Sequence, residues 1–361
     1  MAKSWLFDLV HYPYDPEPEN YDPQAACDVF DGHLREWQRG EELGYEGLFL
    51  GEHHFTAYNM TPSPNVMLAA IAARTERMRL GIMANIVPFH EPLRLAEEIA
   101  MLDLLTHGRL ECGLGRGVDE QEFLRFKMPY EEARPRFEEG LELMLKAWKN
   151  PVFSHEGRFF NIGEATIYPR PLQQPHPPIW ITSLSPKTIQ WAASQGFPMS
   201  SIFLTVEATR EAFETYEAAA RQAGTTTGPN QLALARNVFI ADSMEDAKEI
   251  ARPALNHLFG LFMEAAVPKD LDSLPAEYAY YQSFFRPFVD AQLSFDDLMR
   301  FGLVIVGTPE SVRDEVIRQV TETGCGHFIS WQCFGNLTID QVMRSQELYA
   351  KEVMPALHEL P

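Results

Sequence analysis

Short apolar runs alternate with longer amphipathic stretches along most of this chain, and that rhythm predicts its architecture. Residues 5–10 read as a first strand, and residues 24–43 carry apolar positions at helical spacing, with Gly44 placed as a C-cap. Leu48-Phe49-Leu50 is the next strand, and a helix follows over 65–75. A third strand spans 79–87, and a helix over 92–106 is marked by Pro92 at its start and His107-Gly108 beyond its end. Strand four, 110–114, leads into a helical region that runs to residue 148 with a break near Pro129. The same order continues with strands at 179–182, 199–204 and 232–240 and helices at 186–195, 207–223 and 243–258. A last strand at 327–331 is preceded by a helix starting at Thr308-Pro309 and followed by one over 339–353. Strand–helix alternation with short links predicts a parallel sheet, and eight strands predict a single (β/α)₈ TIM barrel over residues 1–361.

Three stretches break the rhythm. Residues 11–23 form a Pro/Tyr/Asp-rich loop, long for a plain connection. Residues 151–178 are rich in proline and aromatics without a strong period, as expected of an insertion packed on the barrel rim. Residues 259–303 concentrate aromatics, prolines and acids. They read either as a lid over a reactive centre or as a helical hairpin packed on the barrel or a partner subunit.

Composition narrows the classes. The 361 residues are 45% hydrophobic and 22% charged, a globular balance with ample material for a core. A formal charge of −21 argues against general nucleic-acid binding and leaves a few arginines to form any local anion site. Neither a membrane-length apolar run nor a signal-peptide pattern is visible. Cys27, Cys112, Cys325 and Cys333 are widely spaced, with no CxxC pair, so the pattern predicts neither a metal site nor disulfides and fits a reducing cytoplasm.

The chemistry concentrates at strand ends. Leu48-Phe49-Leu50 runs into Gly51-Glu52-His53-His54-Phe55, and in parallel barrels catalytic groups sit at the C-terminal ends of strands. Taken alone, the two histidines are better explained by a strand cap and a solvent-facing ring. Strand four opens into Gly115-Arg116-Gly117, where backbone can approach a ligand closely. Ser185-Pro186 is a natural N-cap and N1 pair, and a helix start of this kind also suits a phosphate.

These motifs, taken in order, resemble the bacterial luciferase-like flavin-dependent monooxygenases, the luciferase subunits included. The resemblance rests on Glu52-His53-His54-Phe55, on Gly81 to Pro92 with Pro88 and Pro92, and on Gly108-Arg109 leading to Gly115-Arg116-Gly117. Trp191-Ala192-Ala193, Val306-Gly307-Thr308-Pro309 and Val353-Met354-Pro355 extend it nearly end to end. It implies a barrel, often dimeric, that uses reduced FMN supplied by a separate NAD(P)H-dependent flavin reductase. The implied reaction oxygenates a small apolar organic substrate with O₂ through a C4a-peroxyflavin. Two alternatives stay open: a deazaflavin-dependent oxidoreductase on the same scaffold, and a non-catalytic flavin-binding subunit.

Residue by residue, the resemblance places Arg116, Arg134, Ser185 and Thr188 around the flavin phosphate. Arg134 also has Glu131, Glu132 and Glu138 as ordinary helix-surface partners. Met83, Ala84 and Asn85 fall under the flavin ring, with a cis Met83–Ala84 bond implied. His53 becomes the acid/base, Glu52 an orienting or flavin-contacting group, and His54 a structural neighbour. His11, Trp331 and Gln332 are rim positions expected to face flavin or substrate. One departure is clear: the luciferases carry a reactive cysteine just before the motif arginine, and this chain has Gly115.

Overall fold

Eight parallel strands close on themselves in the computed structural model, which describes residues 2–265, 267, 271–273, 280, 282, 286 and 293–360. The ring runs β1 (Lys3–Asp8), β2 (Gly47–Leu50), β3 (Arg79–Ile86), β4 (Leu110–Gly115), β7 (Ile179–Thr182), β8 (Met199–Ser201), β9 (Leu232–Ile240), β11 (His327–Trp331) and back to β1. Two short antiparallel strands, β5 (Phe153–Glu156) and β6 (Asn161–Ala165), form a separate hairpin in the 151–178 excursion. A further strand, β10 (Val304–Gly307), pairs with the end of β9 and is absent from the sequence reading. Its three apolar residues and a glycine flow directly into a capped helix, too short a run to separate from that helix's lead-in.

The helices follow the strands: α1 (Pro23–Leu43), α2 (Pro64–Ala72), α3 (Pro92–Leu105), α4 (Glu120–Arg125), α5 (Ala133–Lys149), α6 (Pro186–Gln195), α7 (Val206–Ala223) and α8 (Met244–Ala265). After these come α9 (Phe295–Arg300), α10 (Pro309–Thr323), α11 (Ile339–Glu352) and α12 (Met354–His358). Local chemistry sets several of their starts. Ser185, Thr308 and Thr338 each accept a bond from the backbone N–H three residues on, with proline next at Pro186 and Pro309. Of the 259–303 stretch read as a candidate lid, most of residues 266–292 lies outside the described residues. Phe259 and Phe262 belong to α8.

Strand alternation sorts side chains into two cores. The larger lies between strands and helices. The smaller fills the barrel interior with Trp5, Phe49, Met83, Trp180, Ala233, Ala235 and Ile329. At the barrel floor Trp5 stacks on Phe49 and donates to His327 Nδ1 (2.9 Å), while Trp180 donates to Glu111 (2.7 Å), which also accepts from Arg79. With the floor plugged by aromatics, open space is left at the C-terminal mouth. Among the described residues no helix is long and apolar enough to cross a membrane.

Candidate active site

A cavity of about 1480 Å³, counted to its open mouth, occupies the C-terminal end of the barrel. Its walls are largely apolar: Phe7, Leu9, Tyr58, Met83, Ile181, Ile202, Phe203, Phe262 and Trp331. Apolar walls with a few converging polar groups are the usual make-up of a small-molecule site.

One set of polar groups is cationic. Arg116 follows β4, Arg134 lies in the first turn of α5, and Thr188 lies in the first turn of α6. Arg134 donates to Thr188 Oγ1 (3.1 Å) and to Glu138 (3.4 Å), so its helix-surface partner and its cavity partner are both present. Ser185 is buried and donates to Thr188 Oγ1 (3.0 Å), which fixes that hydroxyl from behind. Two guanidinium groups, a hydroxyl and the N–H groups of a helix start suit an anion such as a phosphate.

The other set is built on Glu52-His53-His54. Glu52 accepts from Ile86 N (3.1 Å), His54 Nε2 (2.9 Å) and His90 Nε2 (3.0 Å), and so pins the end of β2 to the end of β3. Burial pushes its carboxyl upward, but the bonds from His54 and His90 outweigh that and hold it below the ordinary range. His53 lines the cavity, and its Nδ1 lies 3.1 Å from Glu122 Oε1. The same carboxylate oxygen accepts from His54 N at 2.8 Å. Burial lowers the His53 pKa, but the charge and hydrogen bond of Glu122 outweigh it, and the ring is held above 6.5. Asp119, the N-cap of α4, is buried beside this pair and pushed up to about 6 by burial and by the Glu122 charge. With Nδ1 engaged, Nε2 is the His53 nitrogen available to the cavity.

Met83 and Ala84 line the cavity, and the bond between them is cis. Gly113 lets β4 approach this place: a Cβ there would run into the Ile82 carbonyl and come within 3.1 Å of Met83 Cα. Gly115, where the luciferases carry cysteine, sits where a Cβ would press on Ala84 at 3.2 Å.

Three expected residues lie elsewhere. Asn85 is fully buried and donates to Asn65 Oδ1 (3.3 Å), turned toward α2 rather than the cavity. A register shift between Ile82 and Asn85 resets the in–out alternation there. Gln332 donates to Tyr45 Oη (2.7 Å) and Ser330 Oγ (3.0 Å), on the outward face next to inward-facing Trp331. His11 stacks on Trp331 but lines a second cavity. The sequence reading missed Glu122, Asp119 and Tyr58. Glu122 and Asp119 sit in an acidic stretch that reads as a solvated helix start, and only the three-residue step from N-cap Asp119 to Glu122 hints that both share one side.

The luciferase-like monooxygenase family profile matches residues 9–327. The chain is 28% identical over 353 residues to the oxygenase component of a flavin-dependent trigonelline monooxygenase from Acinetobacter baylyi, covering 94% of this chain and 92% of that one. Among solved structures, monooxygenase RslO1 from Streptomyces bottropensis superposes with a TM-score of 0.82 at 26% identity, covering 98% of this chain and 99% of that one. The oxygenating constituent of 3,6-diketocamphane monooxygenase from Pseudomonas putida, determined in complex with FMN, does so with 0.77 at 23% identity over 98% of both chains.

Proposed function

Because the chain belongs to the luciferase-like monooxygenase family, we propose that it is the FMN-dependent oxygenase component of a two-component system acting on a small apolar organic substrate. The observation that carries this reading is a single apolar cavity lined both by an anion-binding set, Arg116, Arg134 and Thr188, and by an acid–imidazole pair, buried Glu122 with half-buried His53. The donors fit a phosphate, and the apolar walls fit a flavin ring and a hydrophobic substrate. Bound reduced FMN would supply the two electrons and the ring on which O₂ is activated.

The chain's own residues do the rest. Arg116, Arg134 and Thr188, with Ser185 behind it, would hold the phosphate. Met83 and Ala84 would support the ring, while Phe7, Phe262 and Trp331 keep the wall dry. His53, protonated through Glu122, delivers or retains a proton at Nε2, and Glu52 fixes the loop that carries it. The A. baylyi relative is described as an oxygenase component, which supports a separate flavin reductase as electron source. Val66 on α2 and Met101, Leu104 and Leu105 on α3 are exposed apolar residues on packed neighbouring helices, which supports a homodimer.

The decisive experiment is anaerobic titration with reduced FMN followed by an oxygen pulse. We expect saturable binding, then a transient near-ultraviolet absorbance before oxidised flavin appears. Tight binding of a reduced deazaflavin with no binding of reduced FMN would replace this reading with hydride transfer. Binding with no transient and no product would leave a non-catalytic flavin carrier.

A further inference from the structure

A second cavity, about 900 Å³ to its open mouth, lies on the outer side of β1 and β11. His11, His33 and Cys333 line it, with Asp28, Asn336 and Thr338. Three elements meet there. Asp8 ends β1 and points outward, opposite to Phe7 and Leu9, which face the flavin-sized cavity. His33, Glu36 and Trp37 share one face of α1, and Cys333 lies two residues beyond β11.

The hydrogen bonds give this cluster a direction. His33 Nδ1 lies 2.6 Å from Asp8 Oδ2, which also accepts from Trp37 Nε1 at 2.8 Å. The carboxylate accepts the Nδ1–H hydrogen bond, so Nε2 is turned toward Cys333, 3.9 Å from Sγ. His11 is arranged alike: its Nδ1 meets the Tyr58 carbonyl oxygen at 2.5 Å, and a carbonyl can only accept, so Nε2 carries the lone pair. Burial holds His11 neutral, with its pKa lowered to about 3. Imidazoles whose Nδ1–H is tied to a carboxylate or a carbonyl, with Nε2 facing the ion, are the usual arrangement at a metal; here His33 Nε2 meets only the Cys333 sulfur and His11 Nε2 has no partner among the described residues.

Charge and unmet hydrogen bonding point the same way. Asp8 and Glu36 are each 2% exposed. Asp8 Oδ1, Glu36 Oε2 and His11 Nε2 are buried without a hydrogen-bond partner among the described residues. The buried Asp8 carboxylate lies against His33 and within reach of Cys333, so the local field is negative. A cation would relieve that field, and the thiol would ionise on coordinating it. Donor atoms of Asp8, His33 and Cys333 all lie within 4.8 Å of one another.

We propose that Cys333 Sγ and His33 Nε2, backed by Asp8 and facing His11 across the cavity, form a binding site for a thiophilic divalent cation, Zn²⁺ by donor type. Binding forms a metal–sulfur and a metal–nitrogen bond and releases the Cys333 thiol proton to solvent. Water or His11 completes the coordination. The site is separate from the flavin-sized cavity and does not rest on the reading of that cavity. The ion would tie α1 to the loop after β11, the loop that follows Trp331.

Titration of the reduced, chelator-treated full chain with Co²⁺ tests this. The expected result is one Co²⁺ per chain with a sulfur-to-cobalt charge-transfer band, discharged by Zn²⁺. Cys333→Ser should abolish the band, and Asp8→Asn should weaken binding by about 10–100-fold, as for other outer-shell carboxylates. Cys333→Ser is nearly isosteric, so it decides the question if Asp8→Asn does not fold. No band in the parent chain, or a band that survives in Cys333→Ser and vanishes in Cys27→Ser, overturns the proposal. The second outcome would place the metal on exposed Cys27.

Discussion

Glu122 Oε1 lies 3.1 Å from His53 Nδ1 and 2.8 Å from the backbone nitrogen of His54, so one buried carboxylate orients the ring and the chain that carries it. The pair sets when His53 is charged. Its pKa is held above 6.5 by Glu122, and chemistry that needs the imidazolium fails as pH rises through that raised value, not through 6.5. Glu122→Gln keeps the shape and removes the charge, so the alkaline loss of turnover should move to lower pH. His53→Ala should lower turnover by at least about 10²-fold, the usual contribution of a general acid. Turnover against pH checks both. An unmoved limb in Glu122→Gln would show that His53 does not control it.

Arg116 and Arg134 should act on the phosphate and not on the ring. A charged hydrogen bond contributes about 1.5–3 kcal/mol, so Arg116→Ala or Arg134→Ala should weaken reduced FMN binding by roughly 10–100-fold. Riboflavin lacks the phosphate, and its reduced form should bind parent and variants alike. Equal losses for both ligands would mean the arginines shape the cavity rather than grip the phosphate.

The barrel was legible because most of its buried strands carry short apolar runs between turn signals, and because Ser185-Pro186 and Thr308-Pro309 mark helix starts chemically. What failed were positions that depend on counting faces. Gln332 follows an inward tryptophan and so faces outward, which simple alternation already predicts. For Asn85 that count cannot work, because the register shift after Ile82 is invisible in the sequence. Glu122 failed for a third reason: nothing local separates an acid on a solvated helix turn from one folded under His53. Its burial is imposed by α4 meeting the loop after β2, a contact 69 residues apart in sequence.

Gly113 should tolerate no side chain. A Cβ there meets the backbone carbonyl of Ile82, which cannot rotate away as a side chain could. Gly113→Ala should therefore cost about 1–3 kcal/mol of stability, the range for forced overpacking, and weaken flavin binding by displacing Met83. Denaturant unfolding and reduced FMN titration read the two effects. Stability equal to the parent would show that β3 and β4 can part without cost.

The exposed apolar residues of α2 and α3 predict an association surface. Val66 is 67% exposed, Leu105 51% and Met101 49%, on helices that pack side by side. A double charge substitution, Met101→Glu with Leu105→Lys, should convert a dimer to a monomer by light scattering while leaving the barrel folded. A parent chain that is monomeric at all accessible concentrations removes the homodimer from the proposed function.

Glu52 and His90 make stability depend on pH in both directions. The Glu52 carboxyl lies below its ordinary value of 4.5, because bonds from His54 and His90 outweigh its burial. Its contribution is complete above the unfolded value and is lost as pH falls through the lower folded one. His90 lies above its ordinary 6.5, since the Glu52 bond and charge outweigh burial. That contribution is complete below 6.5 and is lost as pH rises through the higher folded value. Both are complete only in the weakly acidic interval between those two ordinary values. Glu52→Gln keeps the shape and removes the charge that holds both shifts. Its melting temperature should therefore fall furthest below the parent's inside that interval, with the gap narrowing on either side. Melts from about pH 3 to about pH 9 check this, the range that spans both titrations. A gap of constant size across the series would mean that Glu52 stabilises the β2–β3 junction through neutral hydrogen bonding to Ile86 alone.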